Sequence, residues 1–226
     1  MRIDIITAVP RLLDSPFAHS IMKRAQEKGL LEVVAHDLRD HTPYKQAQID
    51  DYQFGGGAGM VLMPEPLGQM IEKLIASTTY DEIVFMTPDG KTLSQETSNQ
   101  FSLKKNFLFI CGHYKGIDER IREKYVTQEI SIGDYVLTGG ELPACIVIDS
   151  IVRLIPGVLN NETSALSDSF QDDLLSPPVY TRPRTWKGMD VPEVLTSGNF
   201  KKIDEWRSNK SQERTEERRP DLLKKK

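Results

Sequence analysis

Cysteine is scarce. Cys111 and Cys145 stand alone among 226 residues, outside any CxxC or paired-histidine spacing. That argues against a zinc site or a disulfide framework, and both read as buried thiols of a reducing cytoplasm. Long hydrophobic runs are missing too. None approaches the roughly 20 apolar residues of a membrane span, and Met1 to Pro10, a short apolar run around one arginine and one aspartate, is wrongly flanked for a secretory signal. A cytoplasmic, membrane-free protein is expected. There is no strong charge of one sign: the net −4 argues against a nucleic-acid partner until the chain is divided. From Ser176 to Lys226 there are 13 Lys and Arg against 8 Asp and Glu, net +5, which leaves 16 against 25, net −9, for the rest. A basic appendage on an acidic body holds phosphates by its local field, although Lys224 to Lys226 also read as an ordinary solvated tail. No internal repeat is present.

What is present describes an α/β chain. Ile3 to Val9, Ile83 to Met86 and Phe107 to Cys111 are apolar runs that predict buried strands, with Leu31 to Ala35 a weaker one. Between them, helices are predicted from Ser15-Pro16 to Gly29, over Pro64 to Ile75, Ser94 to Phe101 and Ile117 to Lys124, and over Glu141 to Ile155, where Pro156-Gly157 stops the chain. Such alternation implies a mostly parallel sheet with helices on both faces. The core domain is therefore assigned to residues 1–159. Composition turns to Asn, Ser, Thr, Asp and Glu over 160–173, read as a flexible linker. Residues 174–226 follow as a small helical unit, with helices over Pro192 to Thr196 and Phe200 to Gln212.

Glycine is concentrated in loops. Gly55-Gly56-Gly57-Ala58-Gly59 is not a P-loop, since no Gly-Lys-Ser/Thr follows, and it lacks GxGxxG spacing, so neither nucleoside triphosphate nor dinucleotide binding is supported. It lies in a connection of some two dozen residues, a length that suits a functional loop. Three further loops follow predicted strands: Thr87-Pro88-Asp89-Gly90, Gly112-His113-Tyr114-Lys115-Gly116, and the turn from Gly133-Asp134 to Gly139-Gly140. Any one of them reads equally well as a structural turn. Together they suit one pocket, because open parallel sheets bind ligands beyond the carboxyl ends of their strands.

The string Ser131-Ile132-Gly133-Asp134-Tyr135-Val136-Leu137-Thr138-Gly139-Gly140-Glu141-Leu142-Pro143 resembles the bacterial tRNA (guanine-N1)-methyltransferase family, which modifies guanine 37. The resemblance continues through Asp50-Asp51, Gly55 to Met60, Gly116-Ile117-Asp118-Glu119-Arg120, Arg153 before Ile155 to Leu159, Asp168-Ser169-Phe170 and Tyr180 to Pro183. It implies a SPOUT-type α/β domain with a C-terminal trefoil knot, against the default that chains are unknotted, and a small α-helical C-terminal domain. It also implies S-adenosylmethionine as methyl donor, tRNA with guanine at position 37 as substrate, and a homodimer with composite active sites.

Residue by residue, the resemblance assigns donor binding to Phe85, Met86, Thr87, Pro88, Gly112, Tyr114, Ile132, Gly133, Asp134, Tyr135, Val136, Leu137, Gly139, Gly140 and Leu142. Asp50, Gly55, Gly56, Gly57, Gly59 and Arg182 correspond to tRNA contacts. Guanine N1 is a poor nucleophile until its proton leaves, so a base is required, and Asp168 matches the family's catalytic aspartate. Arg153 matches the cation that stabilises charge spreading to O6; read alone it is an arginine near a helix C-terminus. His113 and Lys115 replace the arginine and glutamate found in many members, which leaves magnesium dependence open and no metal ligand assigned. Lys115 is expected to reach a phosphate or the donor's carboxylate, and His113 reads as a turn residue. Two rivals are a knotted methyltransferase acting at another RNA position and a catalytically silent RNA-binding relative.

Overall fold

The computed structural model describes residues 1–159 and 168–224, so most of the expected linker (160–167) lies outside the described residues. The chain divides into two compact units, Met1–Asn160 and Asn161–Lys226.

The first unit runs β1 (Arg2–Thr7), α1 (Asp14–Phe17), α2 (Ser20–Glu27), β2 (Glu32–Asp37), β3 (Asp50–Tyr52), β4 (Met60–Leu62), α3 (Pro64–Ser77), β5 (Glu82–Thr92), α4 (Gln95–Ser102), β6 (Asn106–Cys111), α5 (Glu119–Tyr125), β7 (Gln128–Ser131) and α6 (Glu141–Val152). Five strands form one sheet in the order β2-β1-β6-β5-β7, with every pair parallel. Alternate side chains of a strand face opposite ways. On β6, Phe107, Phe109 and Cys111 join a core under α2, α4 and α6, while Leu108 and Ile110 join a second core under α3 and α5. A parallel sheet covered on both faces has no polar side, which is why its strands appear as unbroken apolar runs.

Local signals set the helix starts: the Ser94 hydroxyl accepts from the Thr97 N–H at the head of α4, Asp118 accepts from Arg120 N–H at the head of α5, and Pro64 occupies the first turn of α3. Three expectations are corrected. The helix predicted over 15–29 is interrupted at Ala18-His19, ahead of Ser20 at φ 52, before Gly29 at φ 70 closes it. β5 does not stop at Met86: Ile130 pairs with both Met86 and Lys91, so residues 87–90 bulge out and the strand resumes to Thr92. The helix predicted over 141–155 ends at Val152. The glycine-rich connection is also ordered, as the tip of an antiparallel ribbon formed by β3 and β4.

In the second unit, residues 168–176 make a turn that docks on the long helix Phe200–Arg218. Phe170 N–H bonds Leu174 O at 2.7 Å, Leu175 N–H bonds Thr215 Oγ1 at 2.9 Å, and Ser211 Oγ donates to Leu175 O. The long helix continues past the expected end at Gln212 to Arg218, with Asn199 accepting from Lys202 N–H at its head. A two-stranded hairpin, β8 (Thr185–Trp186) and β9 (Met189–Asp190), turns through Lys187-Gly188, both at positive φ, the conformation a tight hairpin demands.

Candidate active site

A cavity of about 450 Å³ opens at the bulge of β5 and the carboxyl ends of β6 and β7, where the glycine loops were expected to meet. One wall is the β5 bulge. It exists because Gly90 lies against the β7 backbone: a Cβ there would stand 2.6 Å from Glu129 C and Ile130 N. A second wall is the tight turn after β6, closed by Gly116 N–H on His113 O at 2.9 Å, with Tyr114 at a left-handed φ of 58. Such strain in a non-glycine residue is tolerated where surrounding structure fixes the chain. The third wall is 132–140. Gly140 N–H bonds Gly112 O at 2.9 Å, and a Cβ on Gly140 would come 2.8 Å from Cys111 Cα. Main chain therefore meets main chain.

Charged groups brace these walls. Glu141 opens α6, is 1% exposed, and accepts from Thr7 Oγ1 at the end of β1; His113 Nε2 lies 2.9 Å from each of its carboxylate oxygens. A buried carboxylate needs such partners, and the positive end of the helix dipole adds to them. On the other side, the Arg122 guanidinium lies 5.4 Å from the Phe85 ring, bonds both oxygens of Glu129 at 2.8 Å and reaches Asp89 at 2.8 Å. The Thr87 hydroxyl and then Arg122 hold the Asp89 carboxyl below its usual range. Burial, then the neighbouring Glu141 carboxylate, pushes the Cys111 thiol well up and Cys145 up to about 11, so neither is a ready nucleophile. Cys145 is only half-buried, where both cysteines were expected inside.

Most residues assigned to the donor line this cavity, from Phe85 to Pro88, through Gly112 and Tyr114, to Ile132, Gly133, Tyr135 to Leu137, Gly139 and Gly140. Asp134 and Leu142 do not; both side chains are exposed beside it. The ribbon carrying Gly55 to Gly59 is fastened to the second wall, with Lys115 N–H on Met60 O and Leu62 N–H on Gly116 O, each at 3.0 Å. The Lys115 stem lies over Gly59, and Lys115 lines the cavity. Asp50 begins the ribbon.

Arg153 is the C-cap of α6. The cavity sits at the other end of that helix of 12 residues, about 18 Å away at 1.5 Å per residue, so a single chain does not bring Arg153 to it. Asp168 opens the turn of the second unit, and Arg182 lies in that unit as well. Sequence reasoning missed the Thr7–Glu141–His113 and Arg122–Glu129–Asp89 groups. A glutamate opening a mostly apolar helix was the available signal, since burial there demands a partner. Among the described residues no group of three His, Cys, Asp or Glu side chains is placed to share a metal ion, and no helix is long and apolar enough to cross a membrane.

Known proteins resemble this chain over its whole length. A family model described as "tRNA (Guanine-1)-methyltransferase TrmD" matches residues 1–225. A protein of Cytophaga hutchinsonii named tRNA (guanine-N(1)-)-methyltransferase is 63% identical over 225 residues, covering 100% of this chain and 96% of its own. Proteins of the same name from Christiangramia forsetii and Bacteroides fragilis are 62% and 57% identical, each over 223 residues and 99% of both chains.

Proposed function

The chain belongs to the tRNA (guanine-N1)-methyltransferase family, and from that premise we propose that it transfers a methyl group from S-adenosylmethionine to N1 of guanine 37 in tRNA. The observation that carries this reading is the cavity at the β5 bulge and the ends of β6 and β7. Its walls run as bare main chain through Gly112, Gly139 and Gly140, where a Cβ would crowd neighbouring atoms of the wall itself, and backbone without side chains lets a purine edge come close. Residues 85–88, 112 and 132–140 would hold the donor, which supplies an electrophilic methyl group when bound.

The chain's own residues do the rest. Asp168 takes the N1 proton of guanine, without which N1 has no lone pair for the methyl carbon. Arg153 faces O6 as negative charge spreads there. Because Arg153 sits a full helix length from the cavity of its own chain, the site is completed by a second copy. Val136 at 84% exposure, Leu137, Leu142 and Ile146 form an exposed apolar band between the third wall and α6, the kind of surface that two subunits bury. Leu142 and Ile146 stand four residues apart on one helix face. Lys115 brings a positive charge to the donor's carboxylate or to an RNA phosphate. The SPOUT-type trefoil knot is carried over with the family. Asp50 and the Gly55 to Gly59 ribbon, beside the cavity through Lys115, meet the target base. That base leaves its stack at modest cost because it lies in a loop.

Incubation with labelled S-adenosylmethionine and tRNA transcripts bearing guanine or adenine at position 37 tests the reading. Label is expected in the guanine transcript alone; equal incorporation, or none, overturns it. Asp168→Ala should lose single-turnover methyl transfer while binding the donor normally. An active monomer would refute the shared site, and unchanged donor and tRNA affinities in Lys115→Ala would remove that residue.

A further inference from the structure

The second unit contains a groove of about 420 Å³ that none of the catalytic roles uses. Its floor includes Val191, Leu195 and the buried Ile203, and its rim carries Arg182, Arg184 and Arg207. Arg207 is 3.6 Å from Asp204. Among the described residues, Arg182 and Arg184 make no ion pair.

The β8–β9 hairpin extends this surface. Thr185 pairs with Asp190 and Trp186 with Met189, and Val191 N–H bonds Arg184 O at 2.9 Å, which carries the ladder one residue further. With side chains alternating along each strand, Arg184, Trp186, Met189 and Val191 share one face, continuous with the groove that Arg184 and Val191 line. Trp186 is 55% exposed and Met189 61%, so the indole is not spent on the core. Lys187 Nζ stands 4.9 Å from the indole centroid. A large exposed aromatic among unneutralised cations is costly in solubility and purposeless for packing. It fits a polyanion with exposed π-faces, because an unpaired base stacks on indole while flanking phosphates take the guanidiniums. A second copy of the chain suits the face less well, since a twofold contact would bring the same guanidiniums together.

We propose that this face, Trp186 with Arg182 and Arg184 beside the groove, is a platform for a single-stranded stretch of RNA, stacking one unpaired base on the indole. It rests on the reading of the chain as a tRNA methyltransferase and names how the second unit grips that tRNA. The contact is indifferent to base identity, because every base has a π-face, so it supplies affinity and register rather than selection of the target.

Full-length protein and fluorescently labelled tRNA transcript, followed by anisotropy across a salt series, test it. Trp186→Ala should bind about 5- to 150-fold more weakly with an unchanged salt slope. Trp186→Phe should recover most of the affinity while losing the share of tryptophan-fluorescence quenching by tRNA that Trp186 contributes in the parent, Trp206 being common to both proteins. Arg184→Ala should weaken binding for all sequences and reduce the slope of log affinity against log salt by about one. Native affinity in Trp186→Ala overturns the proposal, as does a loss that Trp186→Phe shares fully, or one accompanied by a changed sedimentation coefficient of the free protein, which would mark a contact between copies. A parent protein that neither binds nor methylates tRNA overturns the functional reading itself. Normal methylation with an indifferent Trp186 overturns only the platform.

Discussion

Two groups of glycines flank the cavity and serve opposite ends. Gly55, Gly56, Gly57 and Gly59, at the ribbon tip, all take positive φ, and a Cβ on Gly55 or Gly56 would find nothing within 4 Å. Gly139 and Gly140 are not at positive φ, yet a Cβ on either would strike atoms under 3.0 Å away. Gly55 and Gly56 serve the direction of the chain alone, whereas Gly139 and Gly140 serve for space; Gly57 and Gly59 combine the two, since a Cβ there would also meet Gln53 or Lys115. Where that wall is backbone against backbone, as at Gly140, it yields little and suits a ligand of fixed shape. A tip shaped by dihedral preference, as at Gly55 and Gly56, can adjust to a macromolecule.

Adding one methyl group to each region separates these roles, and the largest effect belongs to Gly140→Ala. Its Cβ would lie 2.8 Å from Cys111 Cα and 3.0 Å from Gly112 N, backbone atoms of a central strand that cannot swing aside. Overpacking of this kind costs about 1–3 kcal/mol, read as a lower thermal midpoint, and titration calorimetry should show donor affinity falling beyond measurement. Stability and donor affinity both near the parent's would end the distinction between the two groups. Gly139→Ala comes next. It meets the His113 ring at 2.7 Å and Glu141 Oε2 at 2.5 Å, both side-chain atoms. The imidazole can rotate out, so donor affinity should fall about tenfold, equivalent to roughly 1.4 kcal/mol. Adding His113→Ala should restore part of the loss, a non-additivity expected of groups in contact; strictly additive effects would place the clash elsewhere.

The same contrast explains what could be read from sequence. β1 and β6 were legible because strands buried on both faces are written as apolar runs. β7, only Gln128 to Ser131 with three of its four residues polar, offered no such run. β3 and β4 are three residues each and owe their order to the 113–118 turn, through Lys115 N–H on Met60 O and Asp118 N–H on Leu62 O. No local signal encodes such long-range bonds. The cavity itself was legible, since glycine loops at the ends of parallel strands converge by topology. Its bracing was not: Thr7 and His113 reach Glu141 from 134 and 28 residues away. The bulge at 87–90 depends on the absence of a Cβ at Gly90 beside Glu129, a fact of packing rather than of pattern. Arg153 was assigned its role by resemblance and its place near the end of the predicted helix from sequence; what the structure adds is that the cavity lies at the opposite end of α6.

The smallest effect should come from the ribbon, and it bears on the comparison from the other side. Gly56 has φ 79 and open space around any added Cβ, so Gly56→Ala suffers backbone strain alone, about 1–2 kcal/mol for an L-residue held in left-handed conformation. The ribbon is exposed and can relax part of that strain by changing shape, so donor affinity should stay at the parent value while KM for tRNA rises severalfold. Asparagine is the L-residue that tolerates left-handed backbone best, through its short polar side chain. Gly56→Asn should therefore bring both stability and KM most of the way back, although its side chain is larger than alanine's. Steric exclusion would produce the reverse order, with asparagine worse than alanine. That ranking, measured by thermal unfolding and steady-state methylation of one transcript, distinguishes a ribbon shaped by dihedral preference from one pressed against its surroundings as Gly140 is.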